Sequence, residues 1–116
     1  MEGDFSCNNQ KSEVHICGEK GPYENTLTVL SRFDLAPVKG KKVLLKPNIG
    51  RVAECSTGIT TDPLVVAAAA DAFIKAGATV AIGESPITGV VIKEAFKASG
   101  ITKIARERSI RLIDLD

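Results

Sequence analysis

The run Thr79-Val80-Ala81-Ile82-Gly83 is almost wholly apolar and does not alternate. A strand of that kind is buried on both faces, the pattern of a parallel sheet. The strongest helix signal in the chain stands directly before it. Asp62 can cap that helix, and Pro63 fits its first position, where the missing N–H would be unpaired anyway. Ala67 to Ala70 supply small residues that let a helix lie close on a sheet. Gly77 is placed to end the helix in the left-handed conformation. A second strand is expected over Lys41–Lys46, where Val43-Leu44-Leu45 sits between lysines and Pro47 stops the ladder. Strand, helix and strand in this order predict an α/β fold.

The flanks extend the pattern. Val14-His15-Ile16-Cys17 alternates weakly and is expected as a first strand. Asn25 is expected to cap a helix running to Leu35. Val90 to Ser99 reads as a short helix closed by Gly100, with Thr102 capping a further turn to Glu107, and Ile110 to Leu115 as a last strand. The expected architecture is therefore an open, mostly parallel sheet with helices on its faces, right-handed crossovers and the look of an incomplete or half domain. Residues 1–13 read as a loose polar leader and 14–116 as one domain, which suits a chain of 116 residues.

Composition removes several function classes. Lys plus Arg is 15 and Asp plus Glu 14, a net charge of +1, and no recognition motif accompanies the local lysines, so nucleic acid is not an expected partner. Lys41 and Lys42 point to opposite faces of an extended strand and cannot form one patch. No apolar stretch approaches the roughly 20 residues of a membrane span, and the N-terminus lacks a signal peptide's basic and apolar regions. The cytoplasm is the expected location, by elimination. Cys7, Cys17 and Cys55 are dispersed, without a Cys-x-x-Cys pair, and His15 is the only histidine. No metal site is expected from them, and reduced cysteines fit better than a disulfide framework.

In open parallel sheets, ligands bind beyond the carboxyl ends of the strands. That geometry selects four clusters, Gly18 to Lys20 and Asp116 among them, of which two stand out. Lys46 and Asn48 follow the first clear strand; Glu84 and Ser85 follow the apolar one. A lysine at a strand end can hold a carboxylate or phosphate, or donate a proton, and Glu84 can act as base, bind a cation or neutralise Lys46. Lys46 and Glu84 are the candidate catalytic residues. Asn48, Thr61 and Ser85 are the candidate ligand-binding residues, and a small anionic molecule is the expected ligand. The connection Asn48–Thr60 is thirteen residues long, beyond the usual four to six, which favours a functional loop over a plain one. At its end, threonine hydroxyls and backbone N–H groups gather before the helix. They could hold an anion, but Asp62 as a cap already supplies negative charge there. Neither a dinucleotide fingerprint nor a phosphate loop is present.

The segments Gly40-Lys41-Lys42-Val43-Leu44-Leu45-Lys46-Pro47-Asn48, Thr60-Thr61-Asp62-Pro63-Leu64-Val65-Val66 and Val80-Ala81-Ile82-Gly83-Glu84-Ser85-Pro86, with Ile113-Asp114 near the end, carry a resemblance. From about residue 14 to 116 the chain resembles the N-terminal part of a prokaryotic family known as domain of unknown function 362, often associated with iron-sulfur proteins. The resemblance implies an α/β crevice with recurrent polar positions at Lys46, Asn48, Thr61, Glu84 and Ser85. It also implies longer relatives with a second α/β portion, some with a cysteine-rich segment. Asp62 stands where histidine is common, and Glu84 where aspartate is usual. An iron-sulfur cluster is implied by the resemblance alone; the cysteine pattern here does not support one. Three readings follow. The chain is the anion-binding portion of an enzyme or iron-sulfur-associated redox protein; or it is a non-catalytic module that self-associates or binds a partner completing the sheet; or it is a truncated fragment without activity of its own.

Overall fold

The computed structural model describes residues 11–116. The chain opens on an extended segment. Helix α1 follows (Pro22–Leu30), then strand β1 (Lys42–Leu45), helix α2 (Pro63–Lys75), strand β2 (Thr79–Glu84), helices α3 (Ile92–Ala98) and α4 (Ile101–Glu107), and strand β3 (Arg111–Asp114). The three strands form one parallel sheet in the order β1-β2-β3. The α/β class and the parallel pairing are those expected.

Local chemistry accounts for the middle of the chain. Asp62 Oδ1 accepts the Leu64 N–H at 2.8 Å and Pro63 takes the first helical position, so α2 starts as its sequence predicts. Gly77 has φ +91°, the left-handed geometry that ends α2 before β2. Gly100, at φ +84°, makes the corner between α3 and α4. Thr102 therefore lies inside α4 rather than capping it.

The core shows why the sheet needs its neighbours. Ile82 of β2 is fully buried, with Leu45 and Leu112 beside it on the flanking strands. Val66 from α2, Phe96 from α3 and Ile101 and Ala105 from α4 pack in the same cluster. In parallel register, paired residues share a face. All three strands therefore present these positions to α2, α3 and α4 on one side. Two like-handed crossovers moving in one direction across a sheet put their helices on that same side. Leu44, Ala81, Gly83 and Ile113 lie on the other face, where Leu44 is half exposed. Gly83 has no side chain, and a Cβ there would lie 3.1 Å from side-chain atoms of both Leu44 and Leu115, which fold over it.

The N-terminal expectations need correction. Val14–Cys17 is not a strand; Val14 and Ile16 stand almost fully exposed and pair with no strand. Four residues of weak alternation do not by themselves provide a partner ladder. The described residues hold three strands, not four. Helix α1 begins at Pro22 and stops at Leu30, earlier at both ends than expected, because Pro22 suits the first turn and Gly21 precedes it at φ +88°. Asn25 sits inside α1, and its side-chain oxygen accepts the Lys20 N–H and the Cys17 thiol instead of capping the helix. Residues 1–10, including Cys7 and most of the expected leader, lie outside the described residues.

Candidate functional site

Parallel pairing of β1 and β2 brings their carboxyl ends to one rim. Leu45 is in register with Ile82, so Lys46 and Glu84 emerge beside each other. Lys46 Nζ lies 2.5 Å from Glu84 Oε1. The two ends of the pair differ sharply: the Lys46 side chain is 57% exposed and that of Glu84 3%. Glu84 holds more than the lysine. Its Oε2 accepts the Ile49 N–H at 2.9 Å, and its Oε1 accepts its own neighbour's, Ser85 N–H, at 2.9 Å. Burial pushes the Glu84 pKa upward, but the Lys46 hydrogen bond, the two backbone N–H groups and the lysine charge outweigh it. The net value falls below the ordinary 4.5. Glu84 is thus an ionised anchor at neutral pH and a weak proton acceptor.

Ile49, fully buried, pins the start of the long connection into the core. The base of that loop closes through a reciprocal pair: Asn48 N–H donates to Thr61 Oγ1 at 2.9 Å, and Thr61 N–H donates to the Asn48 carbonyl at 3.0 Å. Ile87 N–H donates to the Gly50 carbonyl at 3.1 Å, tying the loop after β2 to the loop after β1. These bonds frame a cleft of about 380 Å³ at the rim. Lys46, Asn48, Glu84 and Ser85 all line it, together with Arg51, Ile59 and Ile87. Four of the five residues singled out from the sequence are therefore brought together. Thr61 is not among them; its hydroxyl closes the loop base, and it lines a neighbouring cavity beside Pro47 and Val65. Ser85 Oγ donates to the Asp116 carboxylate at the same rim.

Arg51, Ile59 and Ile87 were not selected by sequence reasoning. Arg51 is a basic residue close in sequence to Lys41, Lys42 and Lys46, but only the loop's path turns it into the cleft. The amino end of α2 is capped by Asp62, whose carboxylate occupies the position an anion would take. A larger groove, about 460 Å³, lies between α3, α4 and β3 and is walled by Ile92, Phe96 and Leu112; none of the candidate residues lines it.

The described residues do not fit an iron-sulfur cluster. Clusters of the common kinds take four thiolates, and the chain has three cysteines. Cys17 is half-buried with its thiol on Asn25, while Cys55 is exposed in the long loop. No group of three or more His, Cys, Asp or Glu side chains among the described residues is arranged to hold a metal ion. No helix among them is long and apolar enough to cross a membrane.

Fold and rim together define an α/β domain with a polar cleft at the carboxyl edge of a parallel sheet. The chain belongs to the family described as domain of unknown function DUF362, whose family model matches residues 43–116. The match begins within β1, so residues 14–42, which the resemblance had included, lie outside it. No curated protein and no solved structure matches the chain.

Proposed function

We propose that this domain binds a small anionic molecule in the rim cleft and serves as the binding portion of a cytoplasmic enzyme. The observation that carries the reading is the Lys46–Glu84 pair. A buried carboxylate with three hydrogen-bond partners holds a mostly exposed ammonium at the mouth of a cleft. Only one of the lysine's three donors is needed for that bond, so the others are left for a ligand. Asn48 and Ser85 orient it, and Thr61 acts through the loop it closes. Glu84 positions Lys46 and Ile49; its lowered pKa favours that task over proton transfer. The test is titration of the protein with acetate and with inorganic phosphate, followed by amide chemical shifts. We expect shifts at residues 46–51 and 84–87, and Lys46→Met to weaken binding at least tenfold. Unchanged affinity in that variant would remove Lys46 from the reading.

A second reading is favoured by a separate observation. The sheet face bearing Leu44, Ala81, Gly83 and Ile113 carries no helix among the described residues. A partner, or a second copy of the chain, covering this face would make the domain an association module. Light scattering of the wild type and of Leu44→Lys distinguishes the two. A folded wild type that is strictly monomeric removes self-association.

A further inference from the structure

Resting on the anion-binding reading of the rim cleft, we infer that its ligand is an organic monoanion carrying an apolar chain, of the class of short-chain carboxylates. The charge count limits the head group. Lys46 and Arg51 contribute two positive charges to the lining and Glu84 one negative, leaving one positive charge that a monoanion balances. Asp116, on the Ser85 hydroxyl but outside the lining, brings the rim as a whole to neutrality, so a second ligand charge would go unbalanced. Arg51 makes no ion pair among the described residues, so its guanidinium is open to a carboxylate.

The apolar part is called for by Ile59 and Ile87. Both line the same cleft, and they stand 52% and 51% exposed. Neither position is loose. Ile87 is tied through its N–H to the Gly50 carbonyl, and a Cβ at Gly50 would lie 3.5 Å from Ile87 Cγ1, so the isoleucine rests against bare backbone. Ile59 follows Gly58, which takes the left-handed φ of +73°, and donates its N–H to Thr57 Oγ1 at 3.4 Å. Two branched side chains held half in water beside two cations match a ligand with a charged head and a hydrocarbon tail.

The experiment is a homologous series on the wild-type chain: inorganic phosphate, acetate, butyrate and hexanoate, titrated by amide chemical shifts. We expect affinity to rise about fourfold for each methylene that enters the cleft, and Ile59→Ser with Ile87→Ser to flatten that rise while acetate still binds. Acetate and hexanoate binding equally would overturn the apolar-tail inference and leave the anion site standing. Phosphate binding more tightly than hexanoate would overturn the monoanion assignment. No shift with any of the four would sink the anion reading itself.

Discussion

The side chain of Glu84, at the end of β2, accepts the backbone N–H of Ile49, a fully buried residue of the loop that leaves β1. One carboxylate thereby fastens a thirteen-residue connection to the sheet and, through its other oxygen, aims Lys46. Removing it leaves the Ile49 N–H enclosed without a partner. Glu84→Ala should lower stability by about 2–4 kcal/mol, and Glu84→Gln, which keeps one acceptor oxygen, by less. Urea denaturation of the two variants measures the difference; equal losses would mean the hydrogen bond to Ile49 contributes little.

Acid should destabilise the fold through two carboxylates. Glu84 is held below 4.5 by the bonds described above, against its burial. Asp71 is held below 3.8, chiefly by its hydrogen bonds with Arg108, against its own burial. A depressed folded pKa means the unfolded chain takes up the proton first. The stabilisation is fully present above those ordinary values and is lost as pH falls through the lowered ones. Denaturation midpoints should therefore fall between about pH 5 and pH 2, with a shallower fall in Glu84→Gln. A profile identical to wild type would show that Glu84 does not contribute to it.

Tyr23 reports on a second polar cluster. Its hydroxyl donates to Asp71 Oδ2 at 2.6 Å, and Arg108 grips the same carboxylate with Nε at 2.8 Å and a second nitrogen at 3.0 Å. This clasp joins α1 and α2 to the end of α4. The hydrogen bond to Asp71 is the main cause that raises the tyrosine pKa above 10.0. Tyr23 is the only tyrosine, so phenolate absorbance reads it directly. Its midpoint should lie above 10.0 and drop in Asp71→Asn; a midpoint unmoved by that substitution would break the assignment. The neutral phenol stabilises the fold below its ordinary value, and that contribution is lost as pH rises through the raised one.

Two substitutions test backbone and burial in opposite directions. Gly100→Ala meets both a φ of +84° and the rigid ring of Pro63, whose Cγ would lie 3.2 Å from the new Cβ. It should cost about 1–3 kcal/mol. Thr60 Oγ1 is buried with no hydrogen-bond partner among the described residues. Thr60→Val removes that oxygen at equal shape and should stabilise by about 1 kcal/mol. Thermal melts of both variants check the signs, and a destabilised Thr60→Val would mean the hydroxyl is satisfied in solution.

What the sequence alone determined is local or periodic. An unalternating apolar run marked β2 as the centre of a parallel sheet, although only one of its faces is covered by helices among the described residues, and Asp62-Pro63 and Gly77 set the ends of α2 through their own backbone chemistry. Lys46, Asn48, Glu84 and Ser85 were legible because strand ends in a parallel sheet share a rim. Tertiary structure alone decided the rest. Val14 and Ile16 alternate, yet a strand needs a neighbour's free edge, which no four-residue pattern can supply. Tyr23, Asp71 and Arg108 meet from three helices, and Ile49, Ile59 and Ile87 gain their meaning from the path of loops joined by single backbone bonds. Those pairings lie tens of residues apart along the chain, where neither propensity nor spacing reaches.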